Sequence, residues 1–171
     1  SMCGEYLGDN VSGEAARKGT AIHYCLEEGI EPEDADEEIL WIINYCKDRV
    51  MHYLNEGWRI YGREIYYEIE DLTGKIDLLL KRDNDWLIID YKTGHTPVPN
   101  DSMQYAGNAW LITRCEDVTG NIFSLSIQPG NEEPPYHWDK TDIYKRVKHA
   151  IENSGVTAGS HCDYCVKKSV C

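Results

Sequence analysis

Apolar residues recur along this chain with two different periods, and the change from one to the other divides it. Over residues 12–28, Ala15, Ala16, Thr20 and His23 fall at helical spacings, and Ser12 stands where an N-cap belongs. Residues 36–56 carry a fuller helical stripe of Ile39, Leu40, Ile43, Cys46, Val50 and Leu54, which Gly57 brings to a stop. From residue 58 to residue 70 the composition shifts toward aromatic and β-branched side chains. Two short apolar runs follow, 75–81 and 86–91, each the length of a strand. Arg82-Asp83-Asn84-Asp85 between them is turn chemistry, so the two runs predict a hairpin.

Thr93-Gly94 ends the second run, and Pro97 and Pro99 keep the next loop extended. Asp101 or Ser102 caps a helix that runs to about residue 114. Residues 121–128 alternate as a further strand, and residues 141–153 read as a helix with Gly155 after it. The order is helix, helix, strand meander, helix, strand, helix. It predicts one α/β domain over residues 1–171, without repeats or a low-complexity linker.

A chain of 171 residues with 42% hydrophobic content has enough apolar surface for a sizeable core. It contains no apolar run of the ~20 residues that a membrane helix needs, and no secretory signal, so a cytoplasmic protein is expected. The formal charge of −13 counts against a surface coated in positive charge for non-specific DNA binding. Much of the acidity is local, in residues 27–38 between the first two helices, and reads as a solvated face. Basic residues gather at Lys145, Arg146, Lys148 and His149 and at Lys167-Lys168, where a nucleic-acid path is expected to run. Twelve Tyr and five Trp against a single Phe add amphipathic rings suited to stacking on unpaired bases; Tyr61, Tyr66 and Tyr67 lie near the central motifs in sequence. For each of these rings, ordinary burial in the core is the competing reading.

Candidate chemistry lies in the hairpin. Asp77 and Asp90 fall on its two strands, where pairing brings two carboxylates near enough to share one cation. Lys92 is two residues beyond Asp90 and so on the same face of the strand. An ammonium there can orient an attacking water or offset charge on a phosphorane. Taken alone, an Asp-Tyr-Lys step also reads as a surface ion pair. Its place at the end of the apolar run Leu87-Ile88-Ile89 argues for partners or a function, because burying charge is costly. Glu64 and Glu68 on the preceding strand are candidate acids for a second metal or for outer support, although strand glutamates usually face solvent.

Seven cysteines is an odd count, which argues against a fully paired disulfide framework. Cys162 and Cys165 put two thiols within one turn, Cys171 adds a third, and Cys3 stands at the other end. A bare Cys-x-x-Cys suits zinc or a redox pair, but the distance to Cys3 fits neither a thioredoxin pair nor a compact zinc finger. Cys25, Cys46 and Cys115 have apolar neighbours and read as buried, unligated thiols.

Gly19-x-x-x-His23, Gly74-x-x-Asp77, Asp90-x-Lys92 and Gln104 occur in that order, together with Asp90-Tyr91-Lys92-Thr93-Gly94 and Ile127-Gln128-Pro129. The set resembles the RecB-like nucleases of the PD-(D/E)XK superfamily, including CRISPR-associated exonucleases, AddB-type helicase–nuclease subunits and phage-encoded homologues. That resemblance implies a restriction-endonuclease-like core, a central mixed sheet flanked by helices. It implies Mg²⁺ or Mn²⁺ held by His23, Asp77, Asp90 and the Tyr91 carbonyl, with Lys92 positioning water and Gln104 contacting DNA or steadying the site. It implies that Cys3, Cys162, Cys165 and Cys171 hold a [4Fe–4S] cluster joining the termini, zinc being the alternative. The expected activity is DNA exonuclease action on single strands or ends, with partners from recombination, repair or CRISPR adaptation. A structure-dependent endonuclease and a non-catalytic DNA-binding or assembly module are the competing functions. The family often carries Tyr four residues after the Gln, and here that position is Asn108.

Overall fold

A computed structural model describes residues 9–70 and 72–153 of the chain. Cys3, Cys162, Cys165, Cys171, Lys167, Lys168 and Gly155 lie outside the described residues. The elements are α1 (Asp9–Glu28), α2 (Glu37–Asn55), β1 (Arg59–Ile69), β2 (Leu72–Arg82), β3 (Asp85–Tyr91), α3 (Met103–Cys115), β4 (Ile122–Ile127), β5 (Tyr136–Trp138) and α4 (Lys140–Glu152). The five strands form one sheet in the order β1-β2-β3-β4-β5. β3 and β4 pair in parallel, joined through α3, and the other neighbours are antiparallel. The sheet is therefore mixed, as expected.

Local chemistry accounts for most boundaries. Asp36 caps α2 by accepting from the Ile39 N–H at 2.9 Å, and Asp139 caps α4 by accepting from Thr141 and Asp142. The β2–β3 turn passes through Asp83 at φ +52, a left-handed conformation that Asp tolerates. Two expectations need correction. α1 begins at Asp9, so Ser12 lies inside the helix and does not cap it. β5 was not foreseen; at three residues it is too short to show an alternation.

Helices cover both faces. On one, Ile22 and Leu26 of α1 and Ile43 and Cys46 of α2 pack against Leu78, Leu80, Leu87, Ile89 and Leu125. On the other, Tyr105, Ala106, Ala109 and Ile112 of α3 and Ile143 and Val147 of α4 meet Ile76, Leu79, Trp86 and Ile88. Each large aliphatic side chain buried this way contributes roughly 1.5–3 kcal/mol. Along β3 the faces alternate strictly, Trp86 and Ile88 to one side and Leu87, Ile89 and Tyr91 to the other. β2 breaks that rule. Ile76 packs under α3 while Leu78, of the same parity, packs under α1 and α2, so the alternation slips at Asp77. Opposite it, between the pairs Arg63↔Leu78 and Ile65↔Ile76, Glu64 takes φ +51.

Gly19 and Gly74 set close approaches between a helix and a strand. A Cβ at Gly19 would stand 3.0 Å from Thr93 Oγ1, so this position lets α1 lie against the end of β3. A Cβ at Gly74 would come within 2.5 Å of both Asn108 Oδ1 and Leu111 Cδ1. Gly74→Ala is expected to destabilise the fold by about 2 kcal/mol, seen as a lower urea midpoint, because α3 must retreat from β2. An unchanged midpoint would show that α3 yields at no cost.

Candidate active site

The slip at Asp77, the end of β3, the first turn of α3 and the middle of α1 converge on one cleft of about 830 Å³. His23, Asp77, Asp90, Tyr91, Lys92 and Gln104, all singled out from sequence, line it. It opens at the carboxyl end of the parallel β3–β4 pair, the usual place for a ligand in such a sheet.

His23 and Asp77 of this lining belong to a group of potential ligands. His23 from α1, Glu64 from β1 and Asp77 from β2 offer ligand atoms that all lie within 4.8 Å of one another. His23 Nδ1 is 3.4 Å from Asp77 Oδ2, and the same oxygen accepts from the Tyr91 N–H at 2.9 Å. The left-handed backbone at Glu64 brings a strand glutamate to this group. Strand glutamates usually face solvent, so Glu64 carried no sequence signal beyond its acidity. Its carboxylate is paired with the Lys75 ammonium. The Asp77 carboxyl is raised from 3.8 to about 6, first by burial and then by the charge of Asp90, with His23 and the Tyr91 N–H pulling the other way.

Asp90, Lys92 and Gln104 of the same lining form a relay of hydrogen bonds. Gln104, in the first turn of α3, donates from Nε2 to Asp90 Oδ1 at 2.9 Å and accepts from Lys92 Nζ at 3.0 Å. Lys92 Nζ also stands 2.6 Å from Asp90 Oδ2, a buried oxygen that has no aligned hydrogen bond. One glutamine amide thus fixes both a carboxylate and an ammonium. Of the ligand set implied by resemblance, His23 and Asp77 belong to the ligand group, Glu64 joins them, and the neighbouring Asp90 carboxylate meets Lys92 and Gln104.

Other candidates separate clearly. Asn108 is buried against Gly74, with Nδ2 toward the Lys75 carbonyl at 3.5 Å, so it packs α3 onto β2 and does not reach the cleft. Tyr61 and Tyr67 clamp the two oxygens of Glu116, each at 2.8 Å. Tyr66 is 74% exposed and lies beside Lys75. Glu68 is exposed and outside the ligand group. Cys25 and Cys46 are buried, and burial pushes the Cys46 thiol up to about 12. Cys115, expected to be buried, is exposed because it is the last residue of α3. The basic stretch of α4 is largely neutralised, Arg146 by Asp101 and Asp142 and Lys148 by Glu152.

The two carboxylates are hard oxygen donors suited to Mg²⁺ or Mn²⁺, and the imidazole adds a borderline nitrogen donor. The neighbouring Asp90 carboxylate is held by the Lys92 ammonium and the Gln104 amide. Residues 5–112, which carry every one of these side chains, match the family model of the PD-(D/E)XK nuclease superfamily. The chain belongs to that superfamily, and membership implies a metal-dependent nuclease. No curated protein matches the chain. Among solved structures it is similar to one described as "Crystal structure of SSO0001", at 15% identity over 95% of this chain and 77% of that one, with a TM-score of 0.36. A likeness at that level carries no argument. No helix among the described residues is long and apolar enough to cross a membrane.

Proposed function

We propose that this protein is a Mg²⁺- or Mn²⁺-dependent DNA exonuclease of the RecB-like type, acting on single strands or DNA ends. One observation carries the reading: Lys92, held by Asp90 and Gln104, shares a cleft with His23 and Asp77, two donors whose ligand atoms Glu64 joins. When bound there, a divalent cation supplies charge relief at phosphorus and a water of lowered pKa. The chain's own groups do the positioning. The Tyr91 N–H holds the Asp77 carboxylate toward His23. Gln104 keeps the Lys92 ammonium from rotating away, so its charge is already in place when the phosphorane forms.

The absence of a separate recognition domain among the described residues favours cutting at ends or on single strands over long base-specific sites. The exposed ring of Tyr66 suits stacking on an unpaired base. The role extends to phage or prokaryotic recombination, repair or spacer acquisition. The Cys3, Cys162, Cys165 and Cys171 set is assigned to a [4Fe–4S] cluster that ties α1, which carries His23, to the far end of the chain. Iron and labile sulfide should each be near four per chain, and Cys162→Ser should lower both; a colourless protein containing zinc would remove the cluster from the proposal.

The activity is tested with end-labelled linear and circular single strands and Mg²⁺ or Mn²⁺. Linear strands should shorten from an end and circles should resist. Circles cut as fast as linear strands would make the enzyme an endonuclease, and no cutting under any metal would end the nuclease reading.

A further inference from the structure

The loop of residues 93–98 follows directly on Lys92, has no regular secondary structure, and forms one side of the cleft through Thr93, Gly94, His95, Thr96 and Val98. Gly94, His95, Thr96 and Pro97 are exposed, so nothing in front of them holds their shape. The support comes from behind. Gln128, one residue past β4 and 4% exposed, donates from Nε2 to the Gly94 carbonyl at 2.6 Å and to the Thr96 carbonyl at 2.9 Å. Its Oε1 accepts from the Val98 N–H at 3.1 Å. One side chain therefore satisfies three backbone groups of a five-residue span, and no other side chain among the described residues is recorded bonding to the backbone of 94–98. The far end is pinned separately, by Asn100 to the Ser126 N–H and the Pro134 carbonyl.

From this we propose that Gln128 is a positioning residue for substrate: it shapes residues 94–96 into a fixed lip of the cleft, against which a single polynucleotide strand lies as its phosphate reaches Lys92. The inference rests on the nuclease reading. The physical basis is preorganisation. An exposed glycine-containing loop released from its anchor samples many shapes, and the strand must then order it on binding. The Gln128 amide spends its hydrogen bonds on the loop and none on His23, Glu64 or Asp77, so the donor group does not depend on it for hydrogen bonding.

Two variants test it. Gln128→Glu keeps the acceptor for Val98 but aims a carboxylate at two carbonyl oxygens. His95→Ala alters the lip itself and leaves the anchor untouched. Binding of a fluorescent single strand is read by anisotropy in an Asp90→Asn background, where cleavage is suppressed, and Mn²⁺ binding is read by calorimetry without DNA. Gln128→Glu is expected to weaken strand binding about tenfold, the size of one lost hydrogen bond, and to raise KM more than it lowers kcat. Mn²⁺ affinity should stay at the wild-type value in both variants. If Gln128→Glu fails to fold, His95→Ala decides: weaker strand binding supports the lip, and unchanged binding overturns it. A parallel loss of Mn²⁺ and strand binding in folded Gln128→Glu would also overturn the proposal, since that is what a general packing role does. If the Asp90→Asn protein binds no strand while the wild type cuts none, the nuclease reading itself fails and takes the lip with it. Unchanged strand binding in the variants of an active enzyme removes the lip alone.

Discussion

Lys92→Ala is expected to reduce phosphodiester cleavage by about 10³-fold or more while Mn²⁺ still binds. The ammonium sits outside the His23, Glu64 and Asp77 donors, so its loss removes positioning and charge stabilisation and leaves the ligands in place. The substitution also has a structural cost. Asp90 is 5% exposed, and without Lys92 it keeps only the Gln104 amide, which should lower stability by about 1–3 kcal/mol. Activity must therefore be compared at a temperature where circular dichroism shows both proteins folded. Single-turnover cleavage within a factor of about ten of wild type, a loss ordinary for one hydrogen bond, would show that Lys92 only neutralises its neighbour.

Asp77→Asn separates metal binding from stability because the two should move in opposite directions. Metal affinity should fall by roughly 100-fold or more, since an anionic donor becomes a neutral amide. The metal-free variant should nevertheless be more stable than wild type at neutral pH. The Asp77 carboxyl is raised to about 6 mainly by burial, so the fold holds this proton more tightly than the unfolded chain does. Its contribution to stability is present in acid and declines as pH rises from 3.8 to about 6, with no further change above that. Asparagine escapes the penalty and still accepts from the Tyr91 N–H. Thermal melts in chelator at pH 5 and pH 8 check this: the advantage of the variant should be larger at the higher pH. For wild type, Mn²⁺ affinity should weaken as pH falls through about 6, when Asp77 takes up its proton. A variant less stable than wild type at both pH values would make Asp77 a structural acceptor and not a ligand.

Local chemistry explains what the sequence allowed one to read. The β2–β3 hairpin was legible because two apolar runs flank a four-residue polar turn, and Asp90 and Lys92 share a face by simple alternation. The Gly19-x-x-x-His23 spacing also has a visible cause, since the missing Cβ lets α1 approach Thr93. Glu64 was legible only as an acid of unknown direction. Its place depends on a left-handed residue in the middle of a strand and on a slip of the neighbouring strand, and both are decided by packing on two faces at once. Asn108 stood where a tyrosine was expected; the space between α3 and Gly74 admits a small polar side chain, a tertiary fact that no spacing encodes. Gln128 appeared as part of a motif, but its three bonds reach across about thirty residues of chain and have no local signature.

The kink at Glu64 has a second effect, on self-association. β1 lies at the rim of the sheet and is 11 residues long, a length at which open backbone groups invite another chain to add on. The rim opposite, β5, is protected by its brevity. β1 is protected by irregularity, with a bulge between Ile60 and Gly62, a left-handed turn of backbone at Glu64, and charges at Arg59, Arg63 and Glu68. The distortion that brings an acid to His23 and Asp77 also denies a flat template to intermolecular strand pairing, so a change that straightens it would expose the protein to fibre-like assembly as well as to loss of a potential ligand.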